Sequence, residues 1–388
     1  MKKMFAIVLA VLMTVGMLAG CGAGNETAKR GDAIVIGLTG PFSGDNAVYG
    51  NAVKWGMEIA VEEINAKAEA EGGLKIVFEA QDDVSDNEKA GNAYNALKDK
   101  GLQIFAGAVT TGPCNTIAPM AVADQIFMMT PSGSAETIPM AGANVYQMCF
   151  TDPNQGAASA ELIKNHNLGA TIGILYDAST DYSTGIKNSF VSKAQELMLN
   201  VAVTTSFDSN ATDMKTQLQQ IKDAGCDLIF IPIYAAQAVT VLNNADEMGM
   251  TGVTFLGCDG MDGVLTQENF NTALAEGLIM MTPFAADATD EATVSFVTKY
   301  KAKSGGEIPN QFAADGYDVI YAIYQGCLIK GITGQTSNAD TCAALMDYFK
   351  TATYNGLTGK NMTWDANGMV NKVPAAVVVE NGSYVSMD

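Results

Sequence analysis

The sequence predicts an α/β protein built as two doubly wound lobes with a ligand cleft between them. Three observations carry this expectation. Short, continuous apolar runs alternate with helical patterns from residue 33 onward, and the alternation starts afresh near residue 170. Just past six of the runs stand clusters rich in Thr, Ser, Tyr and Asp. Runs that are apolar on both faces belong to parallel strands covered by helices. Open sheets of that kind bind ligands at the carboxyl ends of their strands.

The elements follow in order. The start, "MKKMFAIVLAVLMTVGMLAGC", places Lys2 and Lys3 before an apolar run and small residues before Cys21. That is the form of a secretory signal over residues 1–20. Its end, "LAGC", resembles the lipobox of bacterial lipoproteins, which implies that Cys21 is lipidated and becomes the first mature residue. "GAGNETAKRGD" reads as a flexible tether, giving 21–32 as a linker. "AIVIGL" (33–38) is the first strand, and the helix after it carries Val53, Met57, Ala60, Val61 and Ile64 on one face. Strands are expected at 74–80, 102–109 and 125–130, each separated by a helical pattern. "VYQMCFTDPNQG" (145–156) reads as an extended crossover. The second series runs through strands at 170–176, 200–207, 226–234 and 253–259. "EGLIMMTPF" (276–284) is another strand, followed by three helical patterns between 290 and 350. "VPAAVVVENGSYVSM" closes the series as a hairpin, with Asn381–Gly382 as its turn.

Composition narrows the function. The chain of 388 residues has a net charge of −20, which opposes binding to nucleic acid or to anionic lipid through the protein surface. One histidine, His166, at the end of a helical pattern, leaves little room for metal or triad chemistry. No phosphate loop, dinucleotide fingerprint, nucleophile elbow or zincin motif occurs, so neither an enzyme nor a cofactor is expected. Beyond Cys21 there are six cysteines. Cys327 and Cys342 flank the turn "KGITGQTSNAD" and are the first choice for a disulfide, with buried free thiols as the alternative.

The polar clusters point to a small zwitterion. Free N–H groups at a helix start bind an anion, and hydroxyls add donors. Thr111 in "VTTGPCNT" and Ser134 in "TPSGSAET" would each bring a hydroxyl and an N–H to such a start, a carboxylate cradle without Lys or Arg. Asp259, in "GCDGMDG", would then take the ammonium end.

The same residues carry a family resemblance. "IVIGLTGPFSGDNAVYGNAVKWGMEIAVEEIN", "TPSGSAETIP", "YDASTDYSTG", "FLGCDGMDG" and "FAADGYDVIYA" resemble the LIV-type solute-binding proteins of bacterial branched-chain amino acid ABC importers, which are type I periplasmic binding proteins. The likeness runs in order from about 34 to 382. It implies three crossovers, near 150–152, 281–283 and 361–364. The N-terminal lobe would then be 33–150 plus 283–361, and the C-terminal lobe 151–282 plus 362–388. It makes Thr111, Ser132 and Ser134 the carboxylate and backbone contacts, Tyr234 an inter-lobe contact and Asp259 the ammonium partner. Tyr49 and Tyr182 fall where relatives place aromatic walls. Many amino acid binders have Glu where this chain has Asp259, a reach shorter by one methylene. A disulfide of some relatives is not expected, because "DDVSD" and Thr110 stand where its cysteines would be. The implied function is capture of an aliphatic amino acid by hinge closure and delivery to a membrane ABC permease. The protein would be a monomer anchored on the extracytoplasmic face of the cell membrane. The alternatives are a small amide, an aromatic acid or a polar amino acid as ligand, or a role as a ligand sensor.

Overall fold

The computed structural model describes residues 31–387. The expected signal segment and Cys21 lie outside them. The strands are β1 (Ile34–Gly40), β2 (Ile76–Asp82), β3 (Ile104–Phe105), β4 (Phe127–Thr130), β5 (Val145–Gln147), β6 (Ile172–Asp177), β7 (Val201–Phe207), β8 (Leu228–Ile231), β9 (Thr254–Gly257), β10 (Ile279–Thr282), β11 (Ala375–Glu380) and β12 (Ser383–Ser386). The helices are α1 (Ala47–Glu71), α2 (Asn87–Asp99), α3 (Thr111–Ala123), α4 (Asp152–His166), α5 (Asp181–Glu196), α6 (Lys215–Asp223), α7 (Ala235–Glu247), α8 (Glu291–Ser304), α9 (Gln311–Lys330) and α10 (Asn338–Phe349).

The strands form two sheets, ordered β2-β1-β3-β4-β5 and β12-β11-β10-β9-β8-β6-β7. All pairs in the first sheet are parallel. The second is parallel from β7 to β10 and then antiparallel through β11 and β12. From β6 to β10 it repeats the order of the first sheet, so each lobe reverses direction beside its opening strand. Such reversal points leave a crevice at the strand ends.

Packing explains why the helices late in the chain belong to the first lobe. Val53, Met57, Ala60 and Ile64 of α1 are buried. A Cβ on Gly56 would stand 1.9 Å from the carbonyl oxygen of Ala313, and one on Gly316 would stand 2.7 Å from that of Val53. Helices α1 and α9 therefore touch backbone to backbone, and that contact fixes the start of α9 near the cleft.

The chain leaves the first sheet after Gln147 and enters α4, and it leaves the second after Thr282 toward α8. Its return comes later than the expected 361–364. Residues 364–370 instead lie along β5: Trp364 Nε1 donates to Gln147 O (2.8 Å) and Gln147 N donates to Gly368 O (3.0 Å). The second sheet is rejoined only at Ala375. Just before it, buried Lys372 pairs with Asp315 (2.6 Å) and donates to Thr358 Oγ1 (2.7 Å).

Three expectations change. Strand β3 pairs over two residues only, since the chain beyond Phe105 turns toward the cleft. The segment read as a bare crossover begins with a true edge strand, β5, paired to β4. Cys327 and Cys342 form no disulfide, and the six cysteines from Cys114 to Cys342 are all free and buried. Cys342 Sγ faces Met346 Sδ at 3.8 Å, while Cys327 packs into the core at the end of α9. His166 is exposed in the last turn of α4.

Candidate functional site

A small, tightly closed cavity lies between the lobes. It is lined by Tyr49, Val109, Thr110, Thr111, Ser132, Ser134, Tyr182, Tyr234, Asp259, Gly260 and Phe312. All seven ligand-contact residues expected from sequence therefore meet at one place. Four lining residues lie outside that expectation: Val109, Thr110, Gly260 and Phe312. Phe312 had a signal, an aromatic residue just inside the helix capped by Asn310, whose side chain accepts from Ala313 N (3.1 Å).

The first-lobe wall consists of strand ends. Thr111 is the first residue of α3, so its N–H is one of the helix's unpaired donors. Ser134 differs from expectation, because no helix begins there and the next turn of 3-10 helix starts at Pro139. The reason is a side chain that replaces helical hydrogen bonds. Gln147 Nε2 donates to Gly133 O (2.7 Å) and Ala135 O (3.0 Å), and Thr130 Oγ1 accepts from Gly133 N (2.8 Å). The loop is held open in an irregular path with Ser134 facing the cavity. Ser132 turns its hydroxyl back to Val109 O (2.7 Å), tying the two strand ends together.

The second-lobe wall is acidic and aromatic. Asp259 opens a short 3-10 turn after β9 and is 3 % exposed. Tyr182 Oη donates to its Oδ1 (2.6 Å), and Asp259 N donates to Gln155 Oε1 (3.1 Å). Burial pushes its carboxyl up to about 6, against the pull of the Tyr182 hydroxyl, the Gln155 side chain and the Gly260 N–H. Among the described residues no Lys or Arg pairs with it. Asp262, which accepts from Gln311 N (2.9 Å), is pushed by burial to about 7. Tyr182 stacks on Tyr234 with ring centres 4.7 Å apart.

Tyr49 joins the walls. Its hydroxyl donates to Gly260 O and accepts from Ala235 N (2.8 Å), the first N–H of α7. Its ring lies 5.4 Å from that of Tyr234 and 4.9 Å from that of Phe312. At the rim, Asn115 Nδ2 donates to Asp181 Oδ2 (3.1 Å). The lobes are thus closed on each other, with hydroxyls and N–H groups on one side and an uncompensated carboxylate on the other.

Comparison with known proteins agrees with this architecture. The family model described as "Periplasmic binding protein" matches residues 33–383. A Leu/Ile/Val-binding protein homolog of Brucella melitensis is 25% identical over 307 residues, covering 78% of this chain and 81% of that protein. The leucine-, isoleucine-, valine-, threonine- and alanine-binding protein of Pseudomonas aeruginosa is 24% identical over 300 residues, 76% of this chain and 78% of its own length. Among solved structures, the leucine-binding protein of Thermotoga maritima superposes with a TM-score of 0.80 at 25% identity, covering 92% of this chain and 98% of that one. A branched-chain amino acid binding protein of Streptococcus pneumoniae, in complex with isoleucine, shares the fold with a TM-score of 0.81 at 24% identity, covering 91% of this chain and 97% of that one.

Proposed function

This chain belongs to the periplasmic binding protein family, and we propose that it captures an aliphatic α-amino acid, most simply a branched-chain one, for an ABC importer. The observation that carries this reading is buried Asp259, without a cation among the described residues, across the cavity from the donors of Thr111 and the Ser134 loop. A zwitterion satisfies both walls at once. Its ammonium offsets a buried charge that is costly when unpaired, and its carboxylate meets the donors. The aliphatic part would lie against Val109, Phe312 and the rings of Tyr49 and Tyr234, which supply the apolar surface of the lining. Leucine and isoleucine, the ligands of the two solved relatives, point the same way.

The mechanism in this reading is a two-state hinge. A ligand that touches both walls binds the closed state better than the open one and shifts the population toward it. Thr111 and the Ser134 loop bind the anionic end, Asp259 binds the cationic end, and Tyr49 closes the gap. Release to a membrane permease follows when contact with the transporter favours the open state. The family transports solutes rather than transforming them, and no covalent step is invoked.

Binding proteins of ABC importers work outside the cytoplasm. Cys21 would hold this one to the cell membrane as a lipoprotein with one protomer per anchor. Changing Cys21 to Ser should release it into the soluble fraction; unchanged partitioning into detergent would remove the anchor from the reading.

Titration calorimetry with leucine, isoleucine and valine, beside benzoate and 4-methylpentanoate, tests the ligand class. One of the amino acids should bind at least tenfold tighter than either acid that lacks an amino group, about 1.4 kcal/mol. Equal or tighter binding of benzoate would replace the amino acid by an aromatic acid.

A further inference from the structure

Asp262 stands at the far end of the short turn that Asp259 opens, and it is buried. Its N–H donates to Asp259 O (2.8 Å), so the two acids ride on one turn. That turn belongs to the second lobe: it follows β9, and Gly263 N donates to Tyr384 Oη of β12 (3.4 Å).

The hydrogen-bond partner of Asp262 belongs to the other lobe. Its Oδ2 accepts from Gln311 N (2.9 Å), the first N–H of α9, and α9 is fixed to the first lobe by its backbone contact with α1. The first N–H groups of a helix have no partner inside it, and the helix dipole favours an acceptor there. Asn310 caps the helix, but its side chain takes Ala313 N and leaves Gln311 N to Asp262. Two further contacts cross the same gap. Gln311 Nε2 donates to Asp259 O (3.4 Å). Gly263, with a φ of +109°, lies so close to α1 that a Cβ on it would stand 2.7 Å from Val48 Cγ2. No cation acts on Asp262: burial, Asp259 and Asp315 lift its carboxyl to about 7, and the Gln311 N–H draws it down. Asp262 does not line the cavity, whereas Phe312, the neighbour of Gln311, does.

Resting on the hinge reading above, we infer that Asp262 is a positioning residue for closure, which latches the second lobe onto the start of α9 and leaves the ligand to Asp259. The hydrogen bond to Gln311 N forms only where the turn after β9 meets α9, so it belongs to the closed state. A contact made in one state alone shifts the equilibrium toward that state. The latch also holds the start of α9, and with it the ring of Phe312, at the cavity. Because both acids share one turn, a ligand ammonium that draws in Asp259 sets Asp262 against Gln311 N. The same ammonium offsets the negative field of Asp259 on Asp262. One acid contacts the ligand, and the other carries that contact to the lobe interface.

The test is calorimetry and stopped-flow dissociation on the full chain with leucine and valine. Asp262→Ala should weaken both ligands about tenfold, by the same factor and through faster dissociation. Asp262→Asn keeps an acceptor for Gln311 N and should recover most of that loss. Gln311→Pro removes the N–H at the first helical position, where proline is tolerated, and follows Asn310, whose backbone is already extended. It should match Asp262→Ala, while Gln311→Ala, which keeps the N–H, should cost less than about threefold. The double variant of Asp262→Ala and Gln311→Pro should bind no worse than the weaker single one, because both break one bond. If Asp262→Ala does not fold, the contrast between the two Gln311 variants decides. Wild-type affinity in folded Asp262→Ala, equal losses in Gln311→Pro and Gln311→Ala, or a changed ratio of leucine to valine overturns the latch while amino acid capture stands. Wild-type protein that binds neither leucine nor valine overturns the amino acid reading instead. Small-angle scattering then decides the latch: ligand-free Asp262→Ala must have a larger radius of gyration than wild type, and an equal one overturns it.

Discussion

The first-lobe wall presents Thr111 at a helix start and Ser134 on a loop shaped by Gln147, all neutral donors. The second-lobe wall presents Asp259 and the stacked rings of Tyr182 and Tyr234, an acceptor and an apolar surface. Both walls grow from the carboxyl ends of sheets with the same strand order. The difference lies in the segments attached to those strand ends. After β3 comes a helix whose free N–H groups favour an anion, whereas after β9 the chain makes a short 3-10 turn that buries a carboxylate. One topology, used twice, yields one half that presents hydrogen-bond donors and one half that buries a carboxylate.

The contrast is broken most severely at Asp259. Asp259→Asn keeps the shape of the turn and removes the charge, so amino acid affinity should fall at least tenfold, about 1.4 kcal/mol, by calorimetry. The ligand-free melting temperature should hold or rise, because a buried unpaired charge is gone. Retained affinity with lowered stability would make Asp259 a turn-forming residue only.

The opposite wall should respond less. Thr111→Val removes one hydroxyl but leaves the N–H of α3, so the expected loss is about three- to tenfold, or about 1 kcal/mol. The methyl ester of the ligand should lose less than the free acid. Equal losses would place the carboxylate elsewhere.

Acidity tunes the contrast most gently. The ligand-free carboxyls of Asp259 and Asp262 titrate at about 6 and about 7, both above the usual 3.8. Between those values and 3.8 the folded chain binds more protons than the unfolded one, so this contribution to stability falls as pH rises through the window. An ammonium reverses the penalty at Asp259. Affinity for leucine should therefore climb as pH rises through about 6 and level off by about 7, while the ligand-induced shift in melting temperature widens. A flat profile from about pH 5 to about pH 8 would argue against an ionised acid at the ammonium.

The strands and their order of appearance were legible because buried parallel strands are continuous apolar runs. The residues that line the cavity were legible because strand ends and helix starts are local features, and a family resemblance ordered them. The features that escaped depend on tertiary partners. Ser134 looked like a helix start because small polar residues do favour caps, but the sequence does not reveal that Gln147 would occupy the loop's carbonyls from 14 and 12 residues away. Phe312 reaches the cleft only because α9 packs without a gap on α1. Cys327 and Cys342 are close in sequence across a turn, yet both stay free and buried, with Cys342 Sγ facing Met346 Sδ.

The segment that runs from Trp364 to Val370 has a consequence for life in a crowded compartment. An edge strand such as β5 offers unpaired backbone groups to any neighbouring chain, which is how sheets seed aggregates. Here Gly368 O already accepts from Gln147 N, and Trp364 stacks edge-on against Phe349 with ring centres 4.8 Å apart. Gly368 has a φ of +83°, and a Cβ there would stand 2.4 Å from Val145 O, so only glycine lets the cover lie this close. The β5 border of the first sheet is thereby covered by the protein's own chain, so the backbone groups of Gln147 are already taken and this side of the sheet is closed to an added strand there.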